Sequence, residues 1–246
     1  MKMFGNQTTD GLEKQGDRLG GGILETGVYN AVVKMAYVSK SQSSDAHAVN
    51  VHLDIDGKEV KLREFVTNRN NENFYLDKKT QKKNLLPGFQ TIDDLCLVTT
   101  GYGLTEQEME EKTVRLWDFE SRSEVPQNVP VVKDLLGKPV IVALVRQTVN
   151  KQVQQGDAYV DSNETRDENI VEKYAHAESG RTVTEITQGL EEGVFIEKWR
   201  ELNAGKTRDK TTKGKGTPGR PGSGRPNAGG SGDASASRPK SLFNAA

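Results

Sequence analysis

The sequence predicts a mainly β fold with a few added helices. Three observations predict it. Apolar and polar residues alternate with a strand period through much of 27–149, one turn in that region has the composition of a tight hairpin, and helical spacing is confined to short segments.

The hairpin is the clearest local feature. Apolar residues alternate with polar ones from Val49 to Ile55, which is the period of a strand with one buried face. Asp56-Gly57 follows, and this dipeptide suits a two-residue type I′ turn because both central positions need a positive φ. The alternation resumes from Val60 to Phe65. The sequence therefore predicts two antiparallel strands joined at residues 56 and 57.

Three further strands and one helix complete the predicted core. Val28 to Val38 forms the first strand, while Thr113 to Phe119 and Pro139 to Val149 form the last two. A short helix follows Pro87-Gly88, because apolar residues within 92–98 recur at near-helical spacing. This order matches an OB-fold, a small five-stranded barrel, although other mixed α+β domains share it.

Additional helical turns are predicted on both sides of the last core strand. Thr105 and Glu108 fit a capping box that would open a helical turn. Thr182 to Gln188 and Glu191 to Leu202 are predicted C-terminal helices. The second places one stripe of residues along a helix face, namely Val194, Phe195, Lys198 or Trp199, and Leu202.

The chain divides into four predicted zones. Residues 1–26 are a flexible lead-in, 27–149 the OB-fold-like core, 150–204 an acidic connection with a helical extension, and 205–246 a disordered basic tail. The tail is rich in Gly, Pro and Ser, and its only large apolar residues are Leu242 and Phe243. Such a composition buries too little surface to offset the entropy of ordering the chain.

Charge is divided unequally between the tail and the rest of the chain. The whole chain has a formal charge of −1, from 34 basic and 35 acidic residues. Residues 206–246 contain nine basic and two acidic residues, a net charge of +7, whereas the other 205 residues carry −8. This asymmetry is typical of an interaction tail.

Several classes of protein and site are disfavoured. No apolar run approaches the roughly 18–20 residues of a membrane helix, and no secretory signal is predicted at the start. Cys96, the single cysteine, lies in an apolar stretch and is expected to be a buried structural thiol in a reducing compartment. The three histidines are too dispersed for a zinc site, and no phosphate-binding loop is complete. We therefore predict no cofactor, no metal and no catalytic residue, and assign no oligomeric state.

A basic and aromatic set along the core strands could bind single-stranded nucleic acid. Bases stack on aromatic rings and phosphates attract cations, so this mixture suits such a ligand. The alternative is that Phe65 or Trp117 belongs to the core and that the lysines are an ordinary solvated hairpin tip. The predicted contact residues are Arg63, Phe65, Arg69, Phe74, Tyr75, Lys78, Lys79, Lys82, Lys83, Arg115 and Trp117.

An ordered series of short motifs resembles bacteriophage single-stranded DNA-binding proteins of tailed phages. The motifs are Asn73-Phe74-Tyr75, Leu86-Pro87-Gly88-Phe89, Glu124-Val125-Pro126, Asp134 to Lys138, Glu164 to Asn169, Lys198-Trp199, Gly205 to Arg208, and Ser241-Leu242-Phe243. The resemblance extends from about Gly27 to the end. It implies an OB-type core, no catalysis, and coating of single-stranded DNA during phage replication and recombination in the cytoplasm of the infected bacterial host.

The tail departs from the acidic tip with which many single-stranded DNA-binding proteins end. Arg238 and Lys240 precede Phe243, so the tail is expected to add DNA affinity and to dock phage replication or recombination proteins through Leu242 and Phe243. Two other functions stay open. One is a metal-dependent nuclease or other DNA-processing enzyme that uses the acidic segments 106–111 and 161–168, and the other is a replication accessory that binds only proteins.

Overall fold

The structure is a computed structural model that describes residues 22–41, 44–118, 121–155 and 158–212. The fold is mainly β with few helices, as predicted. None of the described helices is long and apolar enough to cross a membrane. The elements in chain order are β1 (Gly27–Lys40), β2 (His47–Ile55), β3 (Lys58–Phe65), β4 (Phe74–Leu76), β5 (Lys83–Leu85), α1 (Pro87–Thr100), β6 (Met109–Asp118), β7 (Ser123–Val132), β8 (Pro139–Gln155), β9 (Ala158–His176), α2 (Val183–Thr187), α3 (Phe195–Asn203) and β10 (Thr207–Asp209).

Five strands form the central sheet in the order β3-β2-β1-β8-β9. All of their pairings are antiparallel, and β10 adds to β8 in parallel at residues 146–148. On the edge of β1 opposite β2, the first six residues pair with β8, and Tyr37 further along pairs with Val131 of β7. β6 and β7 therefore form a hairpin arm attached at the end of β1. β4 and β5 form a separate two-stranded hairpin.

The predicted β2–β3 hairpin is confirmed. Asp56 and Gly57 have φ values of 51° and 78°, the positive values that a type I′ turn needs. The Asp54 carboxylate also accepts a hydrogen bond from the Gly57 backbone N–H at 2.9 Å. Local sequence thus determines both the turn and the register of these strands.

Helix α1 packs mainly against β9 and β3 and confirms the predicted helix. Its residues Leu95, Cys96, Leu97 and Val98 are fully buried in the main core, so Cys96 is the buried thiol that was expected. A Cβ atom at Gly88 would lie 2.3 Å from the Phe65 carbonyl oxygen. Because no side chain fits there, Gly88 lets the start of α1 pack directly on the end of β3.

The central sheet is not closed into the predicted five-stranded barrel. No strand pairing among the described residues joins β3 to β9, the two outer strands. A cleft of about 440 Å³ lies between them, lined by 59–64 of β3 and by Arg166 and 168–170 of β9. Gly22 and Ile23 line the same cleft.

Two long strands, β7 and β9, were not predicted, nor were the three-residue strands β4, β5 and β10, and one predicted strand has a different role. β6, predicted as the fourth core strand, instead pairs with β7 in the arm, and β8 and β9 supply the last two strands of the central sheet. Pro126 and Pro130 obscure β7 in the sequence. Proline has no backbone N–H to donate to a neighbouring strand. Both prolines are tolerated because β7 pairs with β1 at a single position, so most of the β7 edge that faces away from β6 has no strand partner.

The acidic segment 161–168, part of the predicted acidic connection, lies within strand β9. It pairs with residues 147–152 of β8. Asp167 accepts hydrogen bonds from the Arg146 guanidinium and from the Thr148 hydroxyl, at 2.6 Å in each case. The charge of Asp167 is therefore compensated by side chains of the neighbouring strand β8. The sequence of β9 alone does not reveal this compensation.

The capping box predicted at Thr105 and Glu108 is wrong. A single 3-10 turn spans Leu104–Glu106, and β6 begins at Met109. The Leu104 backbone N–H donates instead to the buried Asp93 carboxylate at 2.7 Å, which holds this segment against α1. A capping box does form at Thr182 and Glu185, at the start of α2.

The C-terminal part of the described chain differs from its prediction in two ways. On α3 the buried side chains are Ile196 and Trp199, whereas Val194, Phe195 and Leu202 of the predicted stripe are exposed. Residues 207–209, assigned to the tail, form β10, and the Lys210 N–H donates to the Thr148 carbonyl. The folded part of the chain therefore extends beyond the predicted boundary at residue 204.

Candidate nucleic-acid interface

The outer face of strands β1, β2 and β3 carries aromatic, polar and basic side chains together. Paired residues on antiparallel strands project to the same side of a sheet. The registers align Tyr37 with Asn50 and Asn50 with Arg63. We call the six side chains of this surface the outer face: Tyr37, Asn50, His52, Lys61, Arg63 and Phe65.

Two aromatic side chains of the outer face have a defined packing partner. The Arg63 guanidinium carbon lies 5.0 Å from the centroid of the Phe65 ring, a cation–π contact. The rings of Tyr37 and His52 meet edge to face, with centroids 5.8 Å apart. Phe65 is 40% exposed, which excludes the alternative that it belongs to the core.

The electrostatic environment differs along the outer face. Near the β2–β3 turn, Glu59 contacts both the His52 ring and the Lys61 ammonium. Burial lowers the pKa of His52, and the hydrogen bond and charge of Glu59 oppose that shift only in part. Burial likewise raises the pKa of Tyr37, opposed by the positive charge of Arg63. At the Phe65 end, Arg63 makes no ion pair with any described residue, so its charge remains available to an anion.

The β4–β5 hairpin separates the two aromatic residues predicted to act together. Phe74 and Tyr75 are consecutive on a strand, so they project from opposite faces. The Phe74 ring has the Lys83 ammonium 4.3 Å from its centroid, whereas Tyr75 pairs with Asn84 and is 44% exposed. The two rings therefore cannot form one continuous stacking surface.

The tip of this hairpin is a cluster of exposed lysines: Lys78, Lys79 and Lys82, with Lys83 at its base. Asp77 shapes the tip by accepting the backbone N–H groups of Thr80 and Lys79. These donors hold the pKa of the Asp77 carboxyl below its usual range. Asp77 is occupied by backbone donors, and Lys78, Lys79 and Lys82 make no ion pair with any described residue.

Arg69 lies in the loop between β3 and β4 and is exposed. The loop is organised by Asn68, whose side-chain oxygen accepts the backbone N–H groups of Asn70 and Glu72. The Asn68 amide also donates to the Phe74 carbonyl at 3.1 Å. One asparagine thus connects the end of β3 to the hairpin and presents Arg69 between them.

Arg115 and Trp117 share the more exposed face of the β6–β7 arm. Trp117 is 54% exposed and so is not a core residue, while Arg115 donates to the Glu124 carbonyl at 3.2 Å. Because Val131 of β7 lies opposite Tyr37, the positions that pair with Arg115 and Trp117 extend past the end of β1.

The structure brings the outer face, the β4–β5 hairpin and the arm to one end of the sheet. β1 ends there, β2 begins there, and β3 ends there at Phe65. β7 and β3 flank β1 and β2, so the bases of the arm and of the hairpin are about three strand spacings, or ~14 Å, apart. The predicted residues therefore form two neighbouring groups around the end of the sheet.

Four outer-face residues were missed by sequence reasoning: Tyr37, Asn50, His52 and Lys61. The alternation of polar and apolar residues does indicate which positions face outward. Residues 50, 52 and 54 are the polar positions of β2, and residues 61 and 63 are those of β3. The register between strands was the missing information, because it is the pairing with β1 that places Tyr37 beside them.

The acidic segments considered for a nuclease do not converge. Among the described ranges of the chain, no three His, Cys, Asp or Glu side chains are placed to hold a metal ion. Residues 106–111 lie at the base of the arm, whereas 161–168 lie in β9 beside β8. No geometric feature of the described residues supports metal-dependent cleavage.

Leu242 and Phe243, predicted to dock partner proteins, lie outside the described residues, as do the tail cations from Lys213 onward. Comparison with protein-family models found no match to this chain, and comparison with curated proteins found none either. Its functional interpretation therefore depends on its own residues and their geometry.

Proposed function

We propose that this protein binds single-stranded DNA largely without sequence preference and has no catalytic activity. The observation that carries the proposal is the outer face, where Phe65 is exposed beside Arg63, a cation that has no ion-pair partner among the described residues, and where Tyr37 lies two strands away in register with Arg63. Bases of any sequence stack on aromatic rings, and cations neutralise the phosphates between them. A duplex keeps its bases stacked inside and cannot use such rings.

We infer that the core is an OB-like barrel that is open at one seam. Three features support this inference: the strand order β3-β2-β1-β8-β9, the position of α1 between β3 and β8 in the chain, and the approach of β9 to β3 across the cleft. In OB-folds, oligonucleotides bind on the face of the second and third strands. Five of the six outer-face residues lie on β2 and β3. The arm would then be an insertion before the fourth barrel strand.

The geometry suggests how the ligand is held. Bases would stack near Phe65 and Tyr37, and the strand would continue towards the β4–β5 hairpin, where the lysine cluster would meet its phosphates. Each stacked base contributes about 1–3 kcal/mol by alanine substitution, so a few rings dominate the affinity. The cations add a salt-dependent contribution through counterion release.

The biological setting that we propose rests on the ordered motifs shared with bacteriophage single-stranded DNA-binding proteins. The protein would coat and protect single-stranded DNA during phage replication and recombination, in the cytoplasm of the infected bacterial host. Its basic tail would add phosphate contacts, and Leu242 and Phe243 would meet phage replication or recombination proteins.

Direct binding measurements test the proposal. The full chain is titrated into labelled oligonucleotides of several unrelated sequences, as single strands and as duplexes, over a range of salt concentrations. We expect similar affinities for the single strands, weaker binding of duplexes, and weakening as salt rises. Equal or tighter binding of duplex DNA would refute the proposal. Incubation of both DNA forms with Mg²⁺ or Mn²⁺ tests the nuclease alternative, since cleavage would contradict a binding-only role.

A further inference from the structure

An exposed apolar surface on and just before α3 is not used by the proposed DNA interface. We call it the α3 patch, and its members are Leu190, Val194, Phe195 and Leu202. Leu202 is 66% exposed, more than any other large apolar side chain of the described residues. Large apolar side chains grouped in this way are typical of interaction surfaces rather than of scattered surface positions.

The helix geometry makes this patch continuous with a buried cluster. Ile196 and Trp199 are buried against Ala143, Val145 and Ala175 of the sheet. Phe195 and Leu202 are seven residues apart, so they lie on one stripe of α3, beside Trp199. The apolar surface of α3 therefore extends beyond the part that the sheet covers.

The surroundings of the α3 patch are acidic. Glu191, Glu192, Glu197 and Glu201 are exposed, and residues 190–203 carry a net charge of −2. One of the two cations in this segment, Arg200, is paired with Glu197 at 3.0 Å. A matching ligand would combine two large apolar side chains with neighbouring positive charges.

The C-terminal segment 238–243 has this chemistry. It reads Arg-Pro-Lys-Ser-Leu-Phe, and it holds the only large apolar side chains of the chain after Thr212. The described chain ends at Thr212, nine residues after the last residue of α3, and the Thr212 backbone N–H donates to the Asn150 side chain of β8, the strand against which α3 packs. Twenty-nine residues lie between Thr212 and Leu242, and a flexible Gly-rich linker of that length would span about 30 Å on average.

We propose that residues 238–243 dock on the α3 patch of their own chain. Leu242 and Phe243 cover Phe195 and Leu202, while Arg238 and Lys240 lie beside the glutamates. Docking occupies the apolar end of the tail in the free protein, so any partner that recruits the protein through Leu242 and Phe243 competes with α3 for them. The docking requires no DNA and stands or falls independently of the proposed function.

Paramagnetic relaxation in the full chain tests this proposal. Asn244→Cys provides a site for a nitroxide label, and Cys96 is buried and does not compete for it. We expect the amide signals of residues 195–202 to broaden in the labelled protein. Diluting the protein should not change this broadening, because the segment docks on its own chain. Leu202→Ser, at an exposed position that folding does not require, should abolish the broadening. Val153→Ser, at a similarly exposed apolar position on β8, should leave it unchanged.

Two results would overturn the proposal. One is sharp α3 signals in the labelled full chain. The other comes from mixing nitroxide-labelled protein with isotope-labelled protein that carries no nitroxide. If the isotope-labelled protein then shows broadening that vanishes on dilution, the segment docks on a second copy. High salt should reduce the broadening severalfold, because it screens the attraction between the glutamates around the α3 patch and the cations Arg238 and Lys240.

Discussion

The Arg63 guanidinium lies over the Phe65 ring, 5.0 Å from its centroid, on the exposed surface of β3. The two residues are two positions apart on one strand, so they project from the same face of the sheet. The contact orients the Phe65 ring and leaves it 40% exposed beside a cation with no ion-pair partner among the described residues. An aromatic surface and a phosphate-attracting charge are thereby held together at the end of the sheet.

Phe65→Ala should weaken binding of single-stranded DNA about 5- to 150-fold, the equivalent of about 1–3 kcal/mol for one lost stacking surface. The measurement is fluorescence anisotropy with labelled oligonucleotides. Tyr102→Ala is the matched control, because Tyr102 is 44% exposed but lies beyond the other end of α1. Unchanged affinity in a folded Phe65→Ala protein would remove Phe65 from the interface.

Replacing Lys78, Lys79 and Lys82 together by Gln should reduce the salt dependence of binding. If each lysine neutralises one phosphate, the slope of log K against log salt falls by about 2, since each contact on a single strand contributes ~0.7. The control replaces Lys133, Lys138 and Lys198, which are exposed elsewhere, and changes the net charge equally. Equal effects of both triple variants would mean that only overall charge matters.

Trp117→Ala tests whether the arm belongs to the same interface. Trp117 lies past the end of β1, so a short oligonucleotide held at the outer face would not reach it. We expect weaker binding of strands of about 25 nucleotides and unchanged binding of strands of about 5, given the usual site sizes of OB-folds. An equal loss for both lengths would place Trp117 next to Phe65 on the bound strand, and no loss would exclude the arm.

Glu185→Gln should destabilise the C-terminal helices. The Glu185 carboxylate accepts hydrogen bonds from the backbone N–H groups of Thr182, Val194 and Phe195. The amide that replaces it offers one acceptor oxygen, so donors are left unsatisfied at a cost of about 1–3 kcal/mol. Urea unfolding measures the loss, and Glu191→Gln, at an exposed neighbouring position, is the control.

The same carboxylate predicts a pH dependence of stability. Burial raises the pKa of Glu185, but the hydrogen bonds from Thr182, Phe195 and Val194 outweigh burial and lower it overall. A pKa that is lower in the folded state gives stability that is present above the unfolded-state value, roughly 4.3, and is lost as the pH falls through the folded-state value. Wild type should therefore lose more stability than Glu185→Gln in acid. Parallel pH profiles would show that Glu185 keeps its ordinary pKa.

Truncation should locate the end of the folded region. A chain ending at residue 204 loses β10, including the ion pair of Arg208 with Glu172 at 3.1 Å and the hydrogen bond from the Thr26 hydroxyl to the Lys206 carbonyl. We expect its Tm to fall by roughly 5–10 °C. This corresponds to a loss of about 2–3 kcal/mol in the free energy of unfolding, at ~2–4 °C per kcal/mol for a domain of this size. A chain ending at Thr212 keeps these contacts and should retain a higher Tm. Equal Tm values would show that β10 adds no stability.

Several of the motifs on which the proposed phage relationship rests occupy structural positions in this fold. Gly88 permits the close approach of α1 to the Phe65 backbone. Asn169 exchanges two hydrogen bonds with the Leu24 backbone, both at 2.8 Å, and Trp199 is buried between α3 and the sheet. These residues hold the fold together, which separates them from the exposed residues that we propose for DNA contact.

The sequence by itself determined the features whose causes are local. The β2–β3 hairpin follows from alternation and from a turn that needs two positive φ values at Asp56 and Gly57. The α1 helix follows from its apolar spacing after Pro87, and the exposed character of the lysine cluster follows from its composition. The mainly β character also follows from these short-range patterns.

Only the tertiary structure decided which strands are neighbours and which side chains share a surface. The charged strand β9 forms because β8 supplies a partner for its backbone and its carboxylates, and neither is visible in the segment itself. Likewise, Tyr37 joins Arg63 because β2 lies between their strands in a definite register. A shift of one residue would turn either side chain to the opposite face, so the outer face exists only through pairing across the sheet.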